Sequence, residues 1–191
     1  MKRLLICAAA FSLAATAASA ALPTGAKAPD FKTTAALAGK DHPFDMAATR
    51  KKGPVVLYFF PAAFTAGCTA EAHEFAEATP DFNKLGATVI GMTGAARVNG
   101  QMAMGDAAAI EGIKRFSSEE CRDKFAVALA SPDTIKGYDV ANATNPAMTS
   151  RTSYVIAPDG KILMSYTDGN FAQHVTKSME AVQAWKASAK K

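Results

Sequence analysis

"PVVLYFFPAAFTAGCTAE", residues 54–71, joins a continuous β-branched and aromatic run to a cysteine at the head of a helical pattern. The run from Pro54 to Phe60 carries no charge and no alternation, the mark of a strand buried on both faces. Beyond Cys68, residues Ala72, Phe75, Ala76, Thr79, Phe82 and Leu85 recur at helical spacing. This predicts an amphipathic helix that ends near Gly86 and is kinked at Pro80. A strand feeding a helix puts Cys68 in the first helical turn, where unpaired backbone N–H groups and the helix dipole favour negative charge. Position alone primes this thiol for reaction as an anion.

Working outward, "ATVIGM" (87–92) reads as a second buried strand and "FAVALAS" (125–131) as a weaker third. "TSYVIAPDGKILMSY" (152–166) is an antiparallel hairpin turned by Pro158, Asp159 and Gly160. The tail repeats a helical pattern in Phe171, Val175, Met179, Val182 and Trp185, after "TDGN", which supplies cap residues. Residues 21–52, rich in Pro, Gly and Ala, read as an extended lead-in with a hairpin. Residues 93–112 read as a long loop or lid with a short helix. The order strand, helix, strand, helix, strand, hairpin, helix implies an α/β fold, with a central sheet covered by helices.

At 191 residues, 49% hydrophobic and 20% charged, the composition is that of one globular domain with a substantial core. The first 20 residues stand apart: Lys2 and Arg3 precede an apolar run that ends in Ala18, Ser19 and Ala20, the pattern of a cleaved signal peptide. Cys7 leaves with that segment, so residues 21–191 are expected to form the mature domain, periplasmic or secreted. Loss of Lys2 and Arg3 leaves 19 basic residues against 17 acidic ones, a net +2. The lysines are scattered, which argues against nucleic acid and anionic lipid as partners. No later segment is apolar for long enough to span a membrane.

Two cysteines remain, Cys68 and Cys121, in a compartment that permits disulfides, and a plain structural bridge between them is one reading. A thioredoxin-like disulfide exchanger is another. It needs Cys-x-x-Cys, yet Thr65 stands where the attacking thiol belongs in "TAGC". It also needs a proline before the later strand, where this chain has Arg151 in "SRTSYVIA". A third reading is a non-enzymatic module holding copper through Cys68, His73 and methionines. Met102 and Met104 without nearby His or Cys suit packing better, and His42, His73 and His174 lack metal-ligand spacing, suiting surface or capping positions.

"PAAFTAGC" fits Pro-x-x-x-Thr-x-x-Cys, and with Glu71 and Arg151 it closely resembles the peroxiredoxin signature. The resemblance extends over nearly the whole mature chain, through "GAKAPDF" (25–31), "VVLYFFP" (55–61), "CTAE" (68–71) and "RTSYVIAPDGKI" (151–162). It implies a thioredoxin-like fold, here with an N-terminal hairpin extension, and a thiol peroxidase that needs no metal or other cofactor. Cys68 would be the peroxidatic thiolate, oxidised to a sulfenic acid by hydrogen peroxide or an organic hydroperoxide. Arg151 would favour the thiolate and hold the peroxide oxygens, Thr65 and the backbone N–H groups around Gly67 would align them, and Pro61 would shield the sulfur from water. Glu71 would orient Arg151. Each residue also has a structural reading: a buried small Cys, a helix-capping Thr, a strand-ending Pro, a surface Arg.

The nearest subgroup resembled is the bacterioferritin comigratory, or Q-type, peroxiredoxins. Some of its members carry a resolving cysteine five positions after the first, where this chain has His73. Others place it on the next helix, and "EECRDKFAVALASPD" (119–133) resembles that segment, with Cys121 in register. The resemblance therefore implies an intramolecular Cys68–Cys121 disulfide, recycled by a thioredoxin-like or other dithiol donor, in a monomer. A one-cysteine enzyme recycled by an external thiol stays open beside it.

Overall fold

The computed structural model describes residues 21–189; the proposed signal segment lies outside them. The chain runs through β1 (Lys32–Leu37), β2 (Lys40–Asp45), α1 (Met46–Arg50), β3 (Val55–Phe59), α2 (Ala66–Lys84) and β4 (Thr88–Thr93). It continues with β5 (Ala96–Val98), β6 (Gln101–Ala103), α3 (Ala107–Glu119), β7 (Ala126–Leu129) and α4 (Pro132–Gly137), and closes with β8 (Thr152–Ile156), β9 (Ile162–Thr167) and α5 (His174–Ser188). Seven strands form one mixed sheet in the order β2-β1-β7-β4-β3-β8-β9. β3 is parallel to β4 and β4 to β7, whereas β8 runs antiparallel to β3. The expected α/β architecture and N-terminal hairpin, β1–β2, are both present.

All five residues of β3 are buried, as its unbroken apolar run requires. Strand alternation divides them between the two faces. Val56, Tyr58 and, just beyond β3, Phe60 join a cluster with Phe75, Phe82 and Phe116. Val55, Leu57 and Phe59 join Met46, Ile90, Met92, Tyr138 and Tyr154 on the other face. Cys68 and Cys121 both belong to the first cluster, so the two thiols share one side of the sheet.

Helix α2 packs its predicted stripe, Ala72, Phe75, Ala76, Thr79 and Phe82, against that face. Pro80 lies within it, and the helix carries on to Lys84. Gly86, at φ +85°, then takes the left-handed turn that an L side chain resists. The segment 93–112 differs from the loop expected of it. Its alanines and glycines form a small β5–β6 hairpin, and α3 starts at Ala107, its N-terminus capped by the Asp106 carboxylate accepting from the Ala109 N–H. Two short helices, α1 and α4, escaped the periodicity because five or six residues hold too few turns to show it.

Gly91 faces Tyr58 across the β3–β4 pair, and a β-carbon there would stand 2.8 Å from the ring. That ring is wedged against Phe75 and Phe60 at centroid distances of 4.1 and 5.3 Å. Gly91→Ala is therefore expected to lower unfolding free energy by about 1–3 kcal/mol through overpacking, measured by chemical denaturation. An unchanged midpoint would show that the Tyr58 side of the core is looser than described.

Candidate active site

Sheet register builds the site. Phe59 pairs with Thr152, so Arg151, just before β8, stands at the carboxyl end of β3 where the chain turns through residues 60–65 into α2. That turn includes Phe64 in a left-handed conformation, φ 61°, a strained geometry for a bulky residue. Neighbouring segments hold it. The Ala63 N–H donates to the Ala95 carbonyl and the Arg97 N–H to the Ala63 carbonyl, both at 2.9 Å. The Thr93 hydroxyl donates to the Pro61 carbonyl at 3.1 Å and that of Thr149 to the Phe60 carbonyl at 2.6 Å. The segment around β5 thus braces the loop that leads to Cys68.

Cys68 is the third residue of α2 and only 1% exposed. Glu71, one helical turn on, shares its face. Arg151 meets both: Nη1 donates to Glu71 Oε2, and Nη2 lies 3.5 Å from Cys68 Sγ. Nε donates to the Gly169 carbonyl at 3.0 Å, so the guanidinium is held along three directions. Its lower side lies over Gly67, where an added β-carbon would stand 3.4 Å from Nη2. Thr65 occupies the N-cap position of α2 without capping it, for its hydroxyl donates instead to the Ala62 carbonyl at 2.9 Å. The first-turn amides are therefore not covered by a side chain. Pro61, half-buried, belongs to the same turn.

Burial pushes the Glu71 carboxyl up to about 8, against the pull of Arg151. Burial also works against the charge of Arg151, but Glu71 and Cys68 outweigh it and hold the guanidinium above its ordinary value. Burial thus disfavours the charge of Glu71, while Arg151 stays a cation and turns Nη2 toward the sulfur.

One residue of this neighbourhood had been read as a surface or capping histidine. His174 is completely buried. Its Nε2 donates to the Asp168 carbonyl at 3.1 Å, which leaves Nδ1 to accept from the Ser153 hydroxyl at 2.8 Å. Nδ1 lies 3.8 Å from Glu71 Oε1, an oxygen with no hydrogen-bond partner. His174 opens α5 directly after the 3₁₀ turn Phe171–Gln173, and its tertiary contacts with Ser153 of β8 and Tyr166 of β9, which no local pattern reports, bury it. His42 is exposed on β2, as expected.

Cys121 also departs from its expected setting. It sits past the α3 C-cap, in a bend, and not on a helix. Arg122 and Asp123, the two residues that follow, both have left-handed φ values, 52° and 58°. Two surface contacts clasp this bend to α2, His73 to Glu120 at 2.6 Å and Arg122 to Glu77 at 3.1 Å. His73, at the alternative position for a resolving thiol, thus grips the residue next to Cys121. Both cysteines are free thiols and buried. Burial pushes the Cys121 thiol far up, so it is a poor nucleophile while the bend stays closed. The structural disulfide is not formed. Among the described residues no three His, Cys, Asp or Glu gather as metal ligands. Met102 and Met104 are exposed on and just after β6.

Comparison with known proteins agrees with this geometry. The family model described as AhpC/TSA family matches residues 24–165. The chain is 22% identical over 138 residues to Peroxiredoxin Bcp of Xanthomonas campestris pv. campestris, across 68% of this chain and 76% of that protein. It is 25% identical over 146 residues to the chloroplastic Peroxiredoxin Q of Sedum lineare, across 71% and 67%. In fold it is similar to the crystal structure of peroxidoxin BcpB from Mycobacterium tuberculosis, with a TM-score of 0.66 and 24% identity over 84% of this chain and 96% of that one. The fold is thioredoxin-like.

The buried imidazole makes a pH test. Burial lowers His174 to about 4 from an ordinary 6.5, the Arg151 charge adding to the effect while the Asp168 carbonyl and carboxylate oppose it. The other groups facing it are Glu71 from α2 and Tyr166 from β9, with Lys177 beyond the Tyr166 ring. Between pH 6.5 and 4 the unfolded chain binds a proton at this position that the folded chain refuses, so stability fades as pH falls through that window. Glu71 acts in the opposite sense, its contribution fading as pH rises from 4.5 to about 8. Denaturant titrations at pH 7 and pH 4 should show a loss about 2–3 kcal/mol smaller in His174→Gln than in wild type. Equal losses would contradict a neutral buried imidazole.

Proposed function

The chain belongs to the AhpC/TSA family of peroxiredoxins and is a thiol-dependent peroxidase; on that premise we propose that Cys68 reacts with peroxide and Cys121 resolves the product. The observation that carries this reading is the Arg151 guanidinium spanning Glu71 Oε2 and Cys68 Sγ, the latter at 3.5 Å. A permanent cation in contact with the buried sulfur pairs with the thiolate when it forms and offers N–H donors to an oxygen brought beside it.

The Cys68 thiolate attacks one peroxide oxygen. An S–O bond forms as the O–O bond breaks, sulfur is oxidised by two electrons, and the leaving oxygen departs as water or an alcohol after taking a proton. Charge grows on that oxygen in the transition state, where Arg151 and the uncovered amides of the first α2 turn around Gly67 stabilise it most. Glu71 holds the guanidinium by accepting from Nη1. Thr65, fixed by Ala62, borders the approach, and Pro61 limits water at the sulfur. Hydrogen peroxide and organic hydroperoxides both fit this chemistry, which uses no cofactor.

In the second step the Cys121 thiolate attacks the sulfenic sulfur, forming S–S and releasing hydroxide that leaves as water. Its bend must first open, and the consecutive left-handed residues Arg122 and Asp123 mark where it is strained. A thioredoxin-like or other dithiol donor then reduces the disulfide. We place this cycle in a monomer that is periplasmic or secreted after removal of residues 1–20, with residues 21–191 as the single mature domain. Export rests on the Lys2, Arg3 and Ala18-Ser19-Ala20 pattern. Among the described residues no helix is long and apolar enough to cross a membrane.

With dithiothreitol as reductant, wild type should consume hydrogen peroxide catalytically and Cys68→Ser should fall to the background rate. Equal consumption by both would overturn the assignment of Cys68. One equivalent of peroxide should yield a Cys68–Cys121 bridge on peptide mapping. Without that bridge, Cys121 loses its role and Cys68 works with an external thiol alone.

A further inference from the structure

Arg151 is only as well placed as its two anchors, the Glu71 carboxyl and the Gly169 carbonyl, and both meet at one residue that the reaction does not consume. The loop 168–170 carries Gly169, and its hold on the fold runs through the neighbouring carbonyl of Asp168, which accepts from His174 Nε2 at 3.1 Å. The Asp168 N–H closes the same loop onto the Arg151 carbonyl at 3.3 Å. On the other side, His174 Nδ1 packs 3.8 Å from Glu71 Oε1, behind the carboxyl that meets Arg151 through Oε2. Ser153 on β8 fixes the ring by donating to Nδ1, and the Tyr166 ring lies edge-on with centroids 4.8 Å apart.

We propose that His174 is a positioning residue for peroxide capture, its imidazole holding the Gly169 loop by a hydrogen bond and backing the Glu71 carboxyl by packing. The inference rests on Cys68 and Arg151 being the peroxide-reacting pair. Three features single His174 out from ordinary core packing. It is a polar side chain buried without exposure, its Nε2 holds the loop that carries the Gly169 anchor, and its ring, fixed by Ser153 at Nδ1, packs directly behind the Glu71 anchor. The assignment of nitrogens follows from the partners: a carbonyl only accepts, so Nε2 carries the hydrogen. A second cation at this place would face Arg151 and loosen the grip of Glu71, whereas the neutral ring adds order without charge. Its effect belongs to the reaction with peroxide, where about 1 Å of guanidinium displacement matters, and not to the later reduction of the disulfide.

The test uses the full mature chain, with hydrogen peroxide as substrate and dithiothreitol as donor. His174→Ala should raise KM for peroxide about tenfold while kcat, set by recycling, stays within about twofold. His174→Gln, whose amide can still donate to the Asp168 carbonyl, should recover to within about threefold of wild type in KM and covers the case in which the alanine variant fails to fold. Alkylation of Cys68 by iodoacetamide, which needs the thiolate but no oxygen cradle, should slow far less than the peroxide reaction in either variant. An unchanged KM in the alanine variant would overturn the proposal. So would a glutamine variant no better than alanine, or equal slowing of alkylation and peroxide reaction. Wild type separates the two levels of argument: if it fails to turn over peroxide, the Cys68 assignment falls, whereas normal wild-type turnover with normal variants removes only the role of His174.

Discussion

A buried guanidinium shared between a carboxyl and a thiol is the constraint around which this protein is organised. Arg151 touches Glu71 and Cys68 at once, in a place where water does little to screen its charge. A charge so placed is unfavourable unless its donors are met, and here Glu71, the Gly169 carbonyl and the Cys68 sulfur meet them. Burial raises the Glu71 carboxyl against the pull of Arg151. Nη2 of the guanidinium remains directed at the sulfur. The β3–β8 register delivers Arg151, and the i,i+3 spacing on α2 delivers both of its partners.

The same construction sets a problem for the catalytic cycle. Cys121 shares the apolar cluster of Cys68 but is sealed in a bend and poorly ionised. The resolving role proposed for Cys121 therefore requires a local opening of the bend. Backbone bonds from the Cys121, Asp123 and Lys124 N–H groups close it, the Ser118 hydroxyl meets the Asp123 carboxylate, and the His73–Glu120 and Arg122–Glu77 contacts tie it to α2, while Arg122 and Asp123 hold left-handed backbone. The exposed Arg122–Glu77 pair is of the kind that contributes at most about 1 kcal/mol, and none of these contacts involves Arg151. The two cysteines, far apart in the chain, thus share one side of the sheet but sit in different local settings, one in the first turn of α2 and one in a bend.

Much of this was legible in sequence because it rests on local pattern. The unbroken run at 54–60, the stripe from Ala72 to Phe82 and the Pro158-Asp159-Gly160 turn each report their own structure, and the joint spacing of Pro61, Thr65, Cys68, Glu71 and Arg151 indicated the site. What escaped depends on tertiary placement. His174 reads like any polar residue at a helix start, and only its tertiary contacts with Ser153 and Tyr166 bury it. Cys121 lies close enough to α3 to read as helical, yet left-handed backbone at Arg122 and Asp123 carries the chain away. The 93–112 segment lacks periodicity because its strands are three residues each, too short to alternate visibly.

The most direct test of the central claim is trapping of the first oxidised product. In a Cys121→Ser background, one equivalent of hydrogen peroxide followed by dimedone should add the label to Cys68 within seconds, read by intact mass. The further change Arg151→Met, which keeps bulk and removes charge, should slow that labelling by a hundredfold or more, in the order of about 3 kcal/mol of lost transition-state stabilisation. Labelling at the same rate in both proteins would contradict the account.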